Sequence, residues 1–348
     1  MVSENIDISV IIPVYNSESH LRLAIDSVLV QGVPLEIIAV DDASTDRSAE
    51  ILREYEKSVS KFRVLTFLEN RGVGAARSAA IELASGKYLA FCDSDDTLPH
   101  GAYRAMLRAA KGRDVVIGAY VNVGEDGVAT GSYKPPRGRG CTLFRALFSV
   151  CCLWNKLIRR EFLTERGLQF DSHMTIGEDV VFLGHLYNQS PTYATIDKPV
   201  YAHHLRRGSL IHTYTLSSFL KHVECRRMLI DVCRCPEAER YATIELSPFL
   251  QSFLFNMSRS DFPEAFGIYR DFLLEHSAII SDEVFVTLTG LSREDFCRVT
   301  AEEYIALTTM APPRERVLSE YRSGAIGLLW ILKFFVAWLR YKLKRIFS

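Results

Sequence analysis

Tyr88-Leu89-Ala90-Phe91-Cys92-Asp93-Ser94-Asp95-Asp96 is an apolar run that breaks directly into carboxylates and a hydroxyl. A short apolar run of this kind, stopped by turn formers, reads as a buried strand whose polar residues sit at its carboxyl end. Similar runs lie to either side, at Ile8–Val14, Ile37–Val40, Val64–Phe67 and Val115–Ala119. Helical patterns separate them, at about Ser19–Val30, Asp46–Ser58, Gly74–Ala84 and Pro99–Ala110. Strands that alternate with helices predict an α/β fold: a Rossmann-like, mainly parallel sheet covered by helices on both faces. Such sheets bind ligands beyond the carboxyl ends of their strands. The chain concentrates polar residues at those ends: Tyr15-Asn16, Asp41-Asp42, Asn70-Arg71 and Asp93-Ser94-Asp95-Asp96.

The chain has 348 residues, of which 48% are hydrophobic and 24% charged, so it can build a large core with an appendage beside it. Lys and Arg total 41 against 42 for Asp and Glu, a net charge of -1 that excludes a broad nucleic-acid-binding surface. Its 8 cysteines show no metal-knuckle spacing, and without a secretory signal they read as reduced thiols of a cytoplasmic protein. A Gly/Pro-rich loop opens the region from about 121, and the stretch from about 213 to 322 is helical in pattern. The expected organisation is a catalytic domain over 1–212, a C-terminal helical appendage over 213–322, and an amphipathic helix over 323–348. In that last segment Lys333, Arg340 and Lys344 share one helical face within a dense apolar run that includes Trp330 and Trp338. The pattern suits a helix lying in a membrane surface better than one spanning it.

The carboxylates after Cys92 can hold a divalent cation and a ribose, since hard cations take oxygen ligands. The plain alternative is an acidic turn that caps the helix beginning near Pro99. Tyr15 can stack on a base, and Asn16 offers paired hydrogen bonds. The carboxylate of Asp42 can accept from a pyrimidine N–H; the plain alternative for this stretch is that Ser44 or Thr45 caps the next helix. Asn70-Arg71-Gly72-Val73-Gly74-Ala75-Ala76-Arg77 has the look of a dinucleotide fingerprint. It follows the third strand instead of the first, and Arg77 stands at the last glycine position, so the NAD reading is rejected. Arg71 or Arg77 can instead reach a base or a phosphate.

Taken together, Ile12-Pro13-Val14-Tyr15-Asn16, Val40-Asp41-Asp42-Ala43-Ser44-Thr45-Asp46, the Asn70–Arg77 stretch and Asp93-Ser94-Asp95-Asp96 resemble family 2 glycosyltransferases of the GT-A fold. The resemblance covers about 7–210 and extends to Trp154-Asn155-Lys156 and Gly177-Glu178-Asp179. It implies an inverting transfer of sugar from a nucleotide diphosphate sugar, with UDP favoured, to a glycan or lipid-linked glycan. By match, Asp179 is the catalytic base. Pro13, Tyr15, Asn16, Asp42, Arg71, Arg77, Asp93, Ser94 and Arg206 bind the donor. Trp154, Lys156 and Glu178 lie at the acceptor or behind the site. Asp95 and Asp93 hold Mn²⁺ or Mg²⁺, with His203 or His204 as a further ligand. Ala43 stands where the family commonly has Gly, and His203 where it usually has an aromatic residue. The implied setting is the cytoplasmic face of a membrane. Two alternatives remain: a sugar nucleotidyltransferase, disfavoured because no Gly-rich phosphate loop follows the first strand, and a degenerate transferase serving as a scaffold subunit.

Overall fold

The computed structural model describes residues 6–138, 141–206 and 214–310. The chain divides into two compact units, Met1–Arg207 and Gly208–Ser348.

The first unit is built on an 8-stranded sheet. Its strands are β1 (Ile8–Val14), β2 (Leu35–Asp41), β3 (Phe62–Thr66), β4 (Tyr88–Phe91), β5 (Val115–Val123), β6 (Ala129–Tyr133), β7 (Lys156–Arg159) and β8 (Tyr193–His204). The order is β3-β2-β1-β4-β7-β5-β6, with β8 on β5. β3, β2, β1 and β4 run parallel, so the loops after them emerge at one edge. β7 enters antiparallel between β4 and β5, and β8 runs parallel to β5. The sheet is thus mixed and mostly parallel.

Helices α1 (Leu21–Leu29), α2 (Ser48–Ser58), α3 (Val73–Leu83) and α4 (Ala102–Ala110) alternate with the first strands. Side chains alternate across a strand, and Ile8, Val10, Ile12 and Val14 share a core with Leu21, Ile25 and Val28 of α1. Those α1 positions are spaced for one-sided burial, at roughly 1.5–3 kcal/mol for each fully buried aliphatic side chain. An acidic residue at Ile25 would break this contact. α3 packs on β1 and β2. α4 starts at Ala102, later than the pattern suggests, because Gly101 takes a left-handed φ of 69° at the cap. β5 runs on past Ala119 to Val123, where β6 and β8 pair with its two edges. Short helices α5 (Leu143–Phe148) and α6 (Arg160–Thr164) precede α7 (Glu178–Asn188).

The described residues of the second unit are helical: α8 (Leu216–Cys233), α9 (Pro236–Arg240), α10 (Ser247–Asn256), α11 (Phe262–Glu275), α12 (Asp282–Thr289), α13 (Arg293–Arg298) and α14 (Ala301–Met310). Phe253, Phe266, Phe272, Phe285 and Phe296 form its core with Tyr269 and Tyr304. Tyr269 is buried there without an orphaned hydroxyl, since Ser247 lies at 2.6 Å and Gln251 donates to it at 3.0 Å. Among the described residues, no helix is long and apolar enough to cross a membrane. The amphipathic segment expected over 323–348 lies outside the described residues.

Candidate active site

The turn after β4 is held from β8. The backbones of Thr97 and Ala202 exchange hydrogen bonds of 3.2 and 2.8 Å. The Asp93 amide donates to the Tyr201 hydroxyl at 3.0 Å, and that hydroxyl donates to Asp96 at 2.9 Å. The His204 amide donates to the other Asp96 oxygen at 2.7 Å. Asp96 is 2% exposed, and burial, helped by Asp93 and Asp95, pushes it up to about 8. Asp96 therefore pins the turn. Asp93 and Asp95 keep 32% and 49% of their side chains exposed, which leaves carboxylate oxygens accessible. Arg206 pairs with Asp95 Oδ2 at 3.3 Å and also donates to the Asp95 carbonyl. The hydroxyls of Ser94 and Ser17 lie 2.6 Å apart and join this turn to the loop after β1.

The loops after β1, β2 and β3 lock together. Pro13 pairs with Val40 in the sheet, and half-exposed Tyr15 follows at the rim. Asn16, at φ 49°, accepts through Oδ1 from the Thr45 amide at 2.8 Å. Asp42 is buried, and its two oxygens accept from the Arg71 and Gly72 amides at 2.7 and 2.8 Å. A carboxylate here orders the chain just ahead of α3, where the helix dipole favours negative charge. Each of its oxygens retains a second lone pair for a ligand. Arg71 is exposed, with its guanidinium 4.6 Å from the centre of the Phe67 ring.

Ala43 has φ 60°. This is the position where the family commonly has Gly, so the departure has a conformational consequence. A left-handed conformation costs an L-residue about 1–2 kcal/mol, whereas the entropic cost of Gly is about 0.5–1 kcal/mol. Ala43→Gly should therefore stabilise the protein by about 0.5–1 kcal/mol, read as a rise in Tm of about 2–4 °C per kcal/mol. A variant that melts no higher than its parent would show that the loop carries no strain.

Trp154 and Lys156 have structural surroundings. Trp154 stacks on Tyr201, with centroids 4.4 Å apart, and on His203 at 5.8 Å. Lys156 is 1% exposed and donates to the carbonyls of Val150 and Cys152 and to Asn155 Oδ1, at 2.7, 2.6 and 3.0 Å. All three of its protons are used, and burial pulls its pKa down to about 8. Lys156 thus shapes the loop before β7 from behind.

Glu178 and Asp179 open α7. Arg77 joins them to the donor side: Nη1 donates to Glu178 at 2.5 Å and Nη2 to Asp93 at 3.1 Å. Gly74 of α3 packs close to this region: an added Cβ would sit a tight 3.1 Å from the Asp171 carbonyl, ahead of α7, and in ordinary contact with Glu178 Cγ at 3.4 Å. Half-buried Asp179 is raised above the usual carboxylate range, by burial first and then by Glu178, with Arg77 opposing. A carboxyl poised in this way suits general-base work near neutral pH.

Among the described residues, no three His, Cys, Asp or Glu side chains gather into a metal cage. The ring of His204 is engaged by Thr97 at 2.9 Å and that of His203 by Asn122 at 3.2 Å. Mg²⁺ and Mn²⁺ are commonly held by one or two carboxylates completed by substrate phosphates. The exposed carboxylates of Asp93 and Asp95 fit that mode, in which the ion arrives with a diphosphate, and do not fit an all-protein cage.

Residues 9–167 match the model of Glycosyl transferase family 2. The chain carries a family 2 glycosyltransferase domain. It is 32% identical over 228 residues to EpsH of Bacillus subtilis (strain 168), covering 61% of this chain and 64% of that one. It is 33% identical over 186 residues to the poly(ribitol-phosphate) beta-glucosyltransferase of Bacillus spizizenii, covering 52% of this chain and 29% of the relative. The chain thus spans less than two thirds of these relatives. In fold it is similar to S. aureus TarS 1-349, solved in complex with UDP-GlcNAc, at 20% identity with a TM-score of 0.63 and 92% of both chains covered. It is also similar to the mannosyltransferase PcManGT of Pyrobaculum calidifontis, solved with GDP-Man and Mn2+, at 15% identity with a TM-score of 0.53, covering 99% of this chain and 88% of that one.

Three further residues contribute to the site without a role assigned to them from the sequence. Tyr201 and Asp96 together pin the carboxylate turn. His20 lies near Arg206 and Asp95; burial lowers its pKa, Arg206 lowers it further, and Asp95 opposes. Asp96 had a visible signal, as the last carboxylate of its motif. Tyr201 opens a stretch that resembles a family loop, which marks the region but not its place beneath the carboxylate turn; His20 had no signal, because only the tertiary fold brings it to the strand end.

Proposed function

We propose that this chain is an inverting glycosyltransferase that moves a sugar from a nucleotide diphosphate donor, UDP by preference, to a glycan or lipid-linked glycan. The observation that supports this best is the meeting of the donor-side carboxylate Asp93 with the Glu178-Asp179 pair through one guanidinium. In this reading Tyr15 offers a ring to the base, within a loop shaped by Pro13 and Asn16. Asp42 accepts from the base, while Arg71, Ser94 and Arg206 meet the ribose and diphosphate. Asp95, with Asp93, would hold Mg²⁺ or Mn²⁺. A bound ion supplies positive charge for the departing nucleoside diphosphate. Asp179 takes the proton of the acceptor hydroxyl as that oxygen attacks the anomeric carbon. A single displacement from the face opposite the leaving group inverts that carbon. Trp154, Lys156 and Glu178 hold these groups from behind.

The decisive experiment is a panel of nucleotide sugars with Mn²⁺, read out as released nucleoside diphosphate. Slow release from a UDP-sugar is expected. No release from any donor would favour the scaffold reading, for which the retained Asp93, Asp95 and Asp179 give no support.

For the acceptor, the names of relatives such as the poly(ribitol-phosphate) beta-glucosyltransferase and a minor teichoic acid biosynthesis protein support a surface polysaccharide or teichoic-acid-like polymer. Such acceptors grow at membranes, and the amphipathic pattern of 323–348 suits a peripheral site on the cytoplasmic face. Deleting residues 324–348 should release the protein from anionic vesicles while donor hydrolysis persists. Salt should weaken binding of the full chain only in part, because apolar burial is not screened. Equal sedimentation of the truncated and full chains would refute the anchor.

A further inference from the structure

Arg77 is 5% exposed and lies on α3, within the motif that also contains Arg71. Its two Nη groups are committed to Glu178 and Asp93, residues 101 and 16 positions away in the chain. Its guanidinium carbon lies 5.9 Å from the centre of the Phe170 ring. Burial by itself would favour the neutral form, but Asp93, Glu178 and Asp179 raise its pKa, and it stays cationic. Breaking a buried charged pair leaves an uncompensated charge, so these partners hold one another firmly. The head group is enclosed, and its Nε is buried without a hydrogen-bond partner, so burial and not a lack of donors keeps a ligand from it. Arg71, in contrast, is exposed at the rim. A donor diphosphate can approach Arg71 at the rim, whereas Arg77, at 5% exposure, can be reached only if the groups that cover it move.

We propose that Arg77 is a positioning residue and not a donor ligand: it holds the start of α7 against the donor turn, so that Asp179 and the diphosphate keep one mutual geometry. The proposal rests on the transferase reading above. The close packing at Gly74, one turn earlier on α3, supports it independently: a Cβ there would sit 3.1 Å from the Asp171 carbonyl and touch the Glu178 side chain, so α3 lies directly against the chain that leads into α7.

The test separates binding from chemistry in the full chain. For Arg77→Met, the Kd for UDP and the donor KM should stay within about threefold of the parent. Its kcat should fall about 10²-fold, the loss expected when reacting groups are misplaced by about 1 Å. Arg77→Lys should recover part of kcat, because an ammonium can meet one carboxylate but not bridge two in a fork. Glu178→Gln should lower kcat non-additively with Arg77→Met, since both break the same link. If Arg77→Met fails to fold, Arg77→Lys and Glu178→Gln carry the same comparison. Hydrogen exchange gives a readout without turnover: amides 177–181 should exchange faster in Arg77→Met while β1 and β4 stay protected. A UDP Kd or donor KM that rises as far as kcat falls would make Arg77 a donor ligand. Unchanged kcat, or unchanged exchange at 177–181, would also overturn the proposal. A parent protein that releases diphosphate from no donor sinks the transferase reading instead, and the exchange experiment still decides the link.

Discussion

Asp179→Asn should lower sugar transfer by about 10²–10⁴-fold while leaving donor binding in place. The substitution keeps size and shape and removes only the capacity to accept a proton. The pH dependence offers a second check. Burial and Glu178 hold Asp179 above the ordinary carboxylate range, so the parent enzyme should lose activity as pH falls through that raised value. The residual activity of Asp179→Asn should lack this acid limb. Stability should respond with the opposite sign. A carboxyl whose folded pKa is raised contributes stability at low pH that is lost as pH rises through the folded value. The neutral Asn variant should therefore melt no lower than the parent at neutral pH, and relatively better as pH increases. A collapse of UDP affinity with unchanged residual turnover would make Asp179 a donor ligand.

Asp95→Asn should abolish Mn²⁺-dependent turnover with the fold intact. Asp95 is half exposed and its carboxylate is contacted by Arg206, so its loss removes charge from the rim without opening the core. The neutral amide is a poorer ligand for a hard cation than a carboxylate. Asp93→Asn should differ, because Asp93 also accepts from buried Arg77 and its loss disturbs the link to α7. Turnover by Asp95→Asn, at the parental level and still stimulated by Mn²⁺, would remove Asp95 from the metal assignment. Circular dichroism and melting of the variant separate loss of the ion from loss of structure.

Much of the sheet could be read directly. β1 is the run Ile8–Val14, because every residue in it is buried and apolar side chains dominate on both faces. β8 was harder to see. Its residues Asp197, Lys198 and Pro199 break any apolar run, and it forms because β5 offers a long free edge for pairing. The antiparallel entry of β7 between β4 and β5 leaves no local mark, since strand direction depends on which edge the chain reaches. Among the candidate residues, the placement of the carboxylates and Asn16 at strand ends was legible, because turn formers mark where an apolar run stops. The surroundings of Lys156 and Arg77 were not. The partners of buried Arg77 come from segments 101 and 16 positions away in the chain, which no local pattern encodes.

By itself the sequence determined which residues end the parallel strands and which carboxylates are available, because hydrophobic periodicity and turn formers act over a few neighbouring residues. The tertiary structure alone decided which of those groups face solvent and which face each other. Asp96 and Asp95 are adjacent, yet one is buried under Tyr201 and His204 while the other is half exposed beside Arg206. Arg71 and Arg77 belong to one motif, yet one lies at the rim and the other is closed between carboxylates. The reason is physical: burial and charge pairing depend on contacts between segments distant in the chain, and such contacts exist only once the sheet and α7 have come together.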